Sequence, residues 1–312
     1  MSDLTLEQSS RETIQKGSSS FAAAAALFDA QTRADAEMLY AWCRYCDDVV
    51  DGQDLGHGMT VLAPQEAQRR LDGLYAKTRA ALAGEAVTDP EFAAFQKVAA
   101  RRHIPERYAI DLIDGFAMDV AARKYETFED TLDYCYHVAG VVGVMMALVM
   151  GVKPGDLSTL RRAQDLGLAF QLTNISRDVV EDARNDRVYL PSAWLAEAGL
   201  ADDPATVAAP ANRQAVAKVT ARLLERAEPY YASAVDGLPA LPFRCAWAIG
   251  AARGVYRQIG VEVAKLGPRA WDARVSTSTA QKLGHAFGGL GLATASRLAG
   301  EPRPRAALWS KI

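Results

Sequence analysis

The chain lacks most of the features that mark a common protein class. Its four cysteines, Cys43, Cys46, Cys135 and Cys245, are too few and too scattered for a disulfide framework. Cys43-x-x-Cys46 has no second cysteine pair and no nearby histidine, which removes a zinc site. All four read as reduced thiols of a cytosolic protein. The four histidines, His57, His103, His137 and His285, show no metal or triad spacing and are expected to be ordinary hydrogen-bonded or exposed side chains. A net charge of -3 gives no basic footprint and argues against nucleic acid as a partner. No P-loop and no G-x-G-x-x-G after a strand occurs, so neither nucleotide fold is supported. Met1 to Lys16 is polar and acidic, without the apolar core of a secretory signal. The longest apolar run, Val138 to Val152, is short of the roughly 20 residues that span a bilayer, so it reads as a buried helix lining an apolar cavity.

What is present is helical. No useful length alternates with period two, so the fold class is all-α. With 312 residues, half of them apolar, and no Gly/Ser-rich linker, one large domain is favoured. A chain of this length can bury roughly three quarters of its unfolded surface. Residues 65–83, 91–102 and 106–122 have helical spacing, and Asp130 or Thr131 is expected to open the helix holding Tyr134. Asp114 reads as a surface or capping residue. Arg213 to Leu238, with Pro229 as a kink, and Arg244 to Leu266 read as long helices.

The chemistry concentrates in Gln171 to Pro191. At 3.6 residues per turn, Gln171, Asn174, Asp178, Glu181 and Asp182 share one stripe. The sequence before them, Leu166 to Leu172, is apolar, and a bare carboxylate in such surroundings must be paired or bind a cation. Asp178 and Asp182, with the Asn174 amide oxygen one turn earlier, form a hard-oxygen set suited to Mg²⁺ or Mn²⁺. Arg177 and Arg187 add fixed positive charge, which suits an anion that the metal also touches. A second pair, Asp47 and Asp51, stands at i and i+4, with Arg44 before it and Gly52 placed to end the helix. One D-x-x-x-D is most often a solvated helix face. Two of them, each in apolar and aromatic sequence beside an arginine, favour two acidic helices that hold divalent ions and a diphosphate across a cavity.

Several segments together resemble the head-to-head prenyl synthases, the family of squalene, dehydrosqualene and phytoene synthases. They are Ser18-Ser-Ser20-Phe21, Tyr40 through Asp51, Tyr134-Cys-Tyr-His-Val138-Ala-Gly-Val-Val142-Gly143, Gln171 through Pro191, Arg253-Gly-Val-Tyr256, Arg274-Val-Ser276 and Lys282. The most specific is the second acidic motif, with its N-x-x-R-D start and R-x-Y-L-P finish. The resemblance covers about residues 14–285. It implies an isoprenoid synthase fold, with helices around a central apolar cavity and two Asp-rich helices facing each other. In outline, 1–16 is a flexible N-terminal segment, 17–285 the catalytic domain, and 286–312 a tail that is partly disordered or rests on a membrane.

By this resemblance, Asp47, Asp51, Asn174, Asp178 and Asp182 hold the metal ions, and these aspartates with Arg177 carry the catalysis. Arg44, Arg177, Arg187, Tyr189, Tyr256 and Arg274 would bind diphosphate oxygens. Ser20, Phe21, Ala25, Tyr40, Asp119, Tyr134, Val138, Val142 and Gln171 would border the substrate. The implied reaction joins two geranylgeranyl diphosphates through a cyclopropylcarbinyl diphosphate to phytoene, the first committed step of carotenoid biosynthesis, without NADPH. Aromatic faces at Phe21, Tyr40 and Tyr134 would stabilise the cations without offering a nucleophile. The alanine run Ala22 to Ala26 leaves room for a twenty-carbon tail, with Ala25 one turn from Phe21. ATP is left open as an activator. A cytoplasmic location with peripheral contact at the inner face of the membrane, beside neighbouring pathway enzymes, is the expected setting. Two departures from the family pattern stand out: Ser19 replaces a lysine and Val180 a glycine. Other readings are a farnesyl diphosphate-using dehydrosqualene or squalene synthase, a chain-elongating or cyclising terpene enzyme, and a non-catalytic relative. The last would be expected to have lost metal carboxylates, and none is missing.

Overall fold

The computed structural model describes residues 3–17, 19–52, 62–298 and 303–312. Its helices start where the sequence supplies caps. Asp29 accepts the backbone N–H groups of Gln31 and Thr32. Thr127 and Asp130 satisfy each other's backbone in a capping box, so the helix opens three residues before Asp130. Asp156 and Asp203 accept from Thr159 and Thr206. In chain order the helices are α1 (Asp3–Gly17), α2 (Ser19–Ala25), α3 (Ala30–Asp51), α4 (Pro64–Leu82), α5 (Pro90–Arg102), α6 (Glu106–Val120) and α7 (Phe128–Cys135). They continue with α8 (Val141–Val149), α9 (Leu157–Arg184), α10 (Ser192–Glu197), α11 (Pro204–Ala208), α12 (Arg213–Val235), α13 (Phe243–Leu266) and α14 (Thr279–Leu298). No strand occurs among the described residues, and the architecture is the expected all-α one.

A π-turn at Tyr136–Gly140 joins α7 to α8. The run Phe128–Val149 is long and apolar enough to cross a membrane, but most of it is buried inside the fold. It is the core helix that the sequence expects. Its partner is α9, and the two backbones nearly touch. A Cβ on Gly143 would lie 2.5 Å from the Ala163 carbonyl oxygen, and one on Gly167 would lie 2.3 Å from that of Ala139. Glycine is required at both positions because backbone cannot yield as a side chain can. This contact runs the two helices antiparallel along one wall of a central cavity.

Segments near both ends of the chain pack against the core. The sequence expects residues 1–16 to be flexible, yet residues 3–17 form α1, with Leu6 and Ile14 buried and Arg11 paired to Glu37 of α3. Two apolar positions eight residues apart suffice to seat one helix face on a neighbour. The tail, expected to be partly disordered or to rest on a membrane, contains most of α14, which packs along α13 through Gly250 and Gly289. Residues 303–312 then return over α9. There Arg305 grips fully buried Asp165 at 2.6 and 2.8 Å, and Leu308, Trp309 and Ile312 pack against the core. A buried carboxylate needs such a partner, so Asp165 anchors the segment. All four cysteines are free, as expected.

Candidate active site

The cavity has a volume of about 670 Å³ and is polar at one end and apolar along most of its length. At the polar end α3 supplies Tyr40, Arg44 and Asp47, and α9 supplies Gln171, Asn174 and Arg177. Each set falls on one helix face because its members are three or four residues apart. Gly52 ends α3 in the left-handed conformation with φ 59°, and its N–H bonds the Asp48 carbonyl. Beyond α9, Asp186 takes a positive φ of 60°, and the Arg187 N–H bonds back to the Asp182 carbonyl at 2.9 Å. That turn sends the Arg187 side chain across to α3.

Every motif carboxylate but Asp182 is met by an arginine. Arg44 donates to Asp47 at 2.6 Å, and Arg187 reaches Asp51 at 2.5 and 3.1 Å. Arg177 clamps Asp178 through its Nε and one terminal nitrogen, one to each carboxylate oxygen, and Arg274 adds a contact at 3.5 Å. Burial and the neighbouring Asp178 push the Asp182 carboxyl well above the usual range, against the pull of Arg187. Asp47 is pushed up to about 7 by burial, with Asp51 and Asp48 adding to it against Arg44. Such a cluster of oxygens short of positive charge fits divalent cations. Asn174 supports the same fit, because its amide oxygen is buried and accepts no hydrogen bond, while its NH₂ donates to Gln171 at 3.3 Å.

A second network stands beside it. Asp119 of α6 accepts the Tyr189 hydroxyl at 2.9 Å and the Tyr134 hydroxyl at 3.2 Å, and the two tyrosine rings stack at 4.5 Å. Burial pushes Asp119 up to about 6, opposed by Arg187 and the Tyr189 bond. Below, Phe170 stacks on Tyr256 at 4.1 Å, and Phe21 lies 5.9 Å from Tyr40 and 6.2 Å from Tyr256. These π-faces line the entrance to the apolar part.

The structure brings nearly all the sequence-predicted residues together. Phe21, Ala25, Tyr40, Arg44, Asp47, Asp119, Tyr134, Val138, Val142, Gln171, Asn174, Arg177, Arg187, Tyr256 and Arg274 line the cavity. Asp51, Asp178, Asp182 and Tyr189 stand directly behind this lining, the first two held by Arg187 and Arg177 and the last by Asp119. The Ser20 side chain, and Ser18 and His57, lie outside the described residues. Asp114 is neither a capping nor a plain surface residue: it is half-buried and accepts the Tyr75 hydroxyl at 2.5 Å. With Asp111 and His137 it forms a group whose ligand atoms lie within 4.8 Å of one another, outside the cavity, where Tyr136 occupies Asp111 in the same way. The sequence reading missed the far end of the cavity, where Met146, Met150, Arg162, Leu238 and Leu241 stand. Following the α9 stripe backward from Gln171 by threes and fours through Gly167 and Ala163 would have reached it.

Comparison with known proteins agrees with this geometry. A 15-cis-phytoene synthase of Pantoea ananas is 53% identical over 300 residues, covering 96% of each chain. One from Paracoccus sp. (strain N81106 / MBIC 01143) is 53% identical over 312 residues, covering 100% of this chain and 99% of the relative. Among solved structures, a dehydrosqualene synthase in complex with a ligand superposes with a TM-score of 0.82 at 24% identity, covering 94% of this chain and 98% of that one; this establishes the shared fold. Residues 14–281 match the squalene/phytoene synthase family, and the chain belongs to it.

Proposed function

We propose that this chain condenses two geranylgeranyl diphosphates head to head, through a cyclopropylcarbinyl diphosphate, to 15-cis-phytoene. The observation that carries the reading is full-length identity of 53% to two 15-cis-phytoene synthases, together with an intact carboxylate and arginine set at the cavity mouth. Asp47, Asp51, Asn174, Asp178 and Asp182 would hold Mg²⁺ or Mn²⁺. When bound, these ions neutralise a departing diphosphate and so make it a better leaving group.

The protein's own residues do the rest. Arg44, Arg177, Arg187 and Arg274 already sit at the carboxylates, so they can turn to the diphosphate oxygens once those carboxylates take up metal. Tyr134, fixed by Asp119 and backed by the stacked Tyr189, and Phe21, Tyr40 and Tyr256 present ring faces to an allylic cation. Apolar walls from Val138, Val142, Phe170 and Ala25 exclude water that would quench it. The scheme asks for no protein base, because the released diphosphate can take the final proton. It asks for no nicotinamide either.

The test is purified protein with Mg²⁺ and either geranylgeranyl or farnesyl diphosphate, with and without NADPH, followed by mass analysis of the extracted hydrocarbons. Phytoene from the twenty-carbon substrate without NADPH is expected. A thirty-carbon product alone would move the substrate assignment to farnesyl diphosphate.

The product is a hydrocarbon, and α14 offers a surface suited to a membrane. Leu283, Phe287 and Leu298 are exposed on it, at 58%, 73% and 84%, with Lys282 and Arg297 near the ends and no acidic residue along the helix. We place the enzyme in the cytoplasm with this face against anionic lipid. Flotation with phosphatidylglycerol vesicles should capture the wild type and lose the Phe287→Glu variant; equal capture would remove the assignment.

A further inference from the structure

The cavity wall formed by α9 changes character twice. Arg177 and Asn174 are polar, Phe170, Gly167 and Ala163 are apolar or small, and then Arg162 appears. At 1.5 Å per helical residue, Arg177 to Arg162 spans about 22 Å. Because α8 runs antiparallel, with Gly143 against Ala163, Met150 lies at the same far end as Arg162. Leu238 and Leu241, in the link between α12 and α13, close it from another side.

A guanidinium is an odd residue with which to end a hydrocarbon cavity. Arg162 is only 4% exposed, and its Nε makes no hydrogen bond. One terminal nitrogen donates to the Ser233 carbonyl at 3.2 Å and lies 3.5 Å from the Asp236 carboxylate, while the other donates to the carbonyl of Arg303 in the returning tail. Asp236 in turn accepts from the Arg303 guanidinium at 3.2 and 3.3 Å. Gly237 packs against the Arg162 stem, since a Cβ there would lie 3.1 Å from the Arg162 Cβ. A methionine such as Met146 or Met150 can swing aside for a longer ligand. Arg162 cannot, because moving it breaks its hydrogen bonds and strands a desolvated charge.

We propose that Arg162, held by Asp236 and by the carbonyls of Ser233 and Arg303, is the fixed stop of the prenyl-binding cavity and sets its upper length limit at four isoprene units. The proposal rests on the twenty-carbon substrate reading above. Ala25 keeps the cavity wide enough for that chain, and Arg162 excludes a fifth unit. The final ten residues take part in the limit because they supply one of the carbonyls that hold the stop.

The experiment compares full-length wild type, Arg162→Ala and Asp236→Asn, each with Mg²⁺ and geranylgeranyl or geranylfarnesyl diphosphate, separately and in competition. The readout is the ratio of kcat/KM for the twenty-five-carbon substrate to that for the twenty-carbon one. Arg162→Ala should raise this ratio by about tenfold or more, the scale on which a pocket wall discriminates chain length. Asp236→Asn should raise it by a smaller factor. A folded Arg162→Ala variant whose ratio stays within twofold of wild type would overturn the proposal. If that variant does not fold, Asp236→Asn decides alone, and an unchanged ratio there also overturns it. Wild type yielding no hydrocarbon from the twenty-carbon substrate would instead sink the functional reading, before any variant is compared.

Discussion

Arg187 holds Asp51 with both terminal nitrogens, at 2.5 and 3.1 Å, across 136 residues of chain. Asp51 ends α3, and Arg187 follows α9, so this pair ties the two acidic helices together at the mouth of the cavity. A two-pronged charged bond fixes orientation as well as distance, which lysine cannot reproduce.

Arg187→Ala should therefore reduce kcat/KM by about 10²- to 10³-fold, the usual cost of removing one donor aimed at developing charge. Arg187→Lys should recover only part of that loss. The check is steady-state turnover of both variants at saturating Mg²⁺, and full recovery by lysine would show that charge alone is needed.

Asp178 is clamped by Arg177 and approached by Arg274 at 3.5 Å. Alanine there should abolish the first ionisation, so rapid-quench assays should find no diphosphate release in a single turnover. Retained turnover would sink the assignment of this carboxylate to the metal site.

Ala25 is 3% exposed and lines the cavity one helical turn from Phe21. Ala25→Phe should fill the space below that ring and shift preference toward farnesyl diphosphate. Competition between the two diphosphates reads the shift, and an unchanged preference would show that Ala25 does not limit the chain.

The ligands Asp47, pushed up to about 7, and Asp182, held well above the usual carboxylate range by burial and Asp178, stand beside Asp119 at about 6, so protons compete with metal at acid pH. As pH rises from 6 to 8 Asp47 and its neighbour Asp119 lose protons, and the Mg²⁺ concentration for half-maximal activity should fall. The sign for stability is the opposite without metal. Raised carboxylates bind protons in the folded state, so their contribution is present at low pH and is lost as pH rises through the folded values. Calorimetry should show Mg²⁺ raising Tm more at pH 8 than at pH 6; an equal rise at both would count against Asp47 as a ligand.

Gly167 has no room for a side chain, because a Cβ would meet the Ala139 carbonyl oxygen at 2.3 Å and the Gly140 Cα at 2.7 Å. Gly167→Ala should cost about 1–3 kcal/mol by overpacking and separate α8 from α9. Denaturant unfolding measures it, and a variant as stable as wild type would mean that the helices can part freely.

The helical reading came through because period and caps are local. Asp29, Gly52 and the spacing of Asp47 with Asp51 can all be read without knowing any neighbour. The same holds for Asn174, Asp178 and Asp182 on α9. The packing of the C-terminal segment was not legible, for the opposite reason. Asp165 carries no local sign that it will be buried, and only its encounter with Arg305, 140 residues later, makes residues 303–312 part of the core. Asp114 was misjudged in the same way, since its partner Tyr75 lies on another helix.

The sequence by itself determined that the chain is helical, that it carries two acidic stripes with arginines beside them, and that it resembles the head-to-head prenyl synthases. Helix periodicity and side-chain chemistry act within a few residues, so one strand of text records them. Only the tertiary structure decided that Arg187 meets Asp51 and Arg274 approaches Asp178, that Asp119 orders Tyr134 and Tyr189, and that Arg162, tied to the Arg303 carbonyl, lines the cavity. These are encounters between segments 15 to 141 residues apart, created by burial, and no local pattern encodes them.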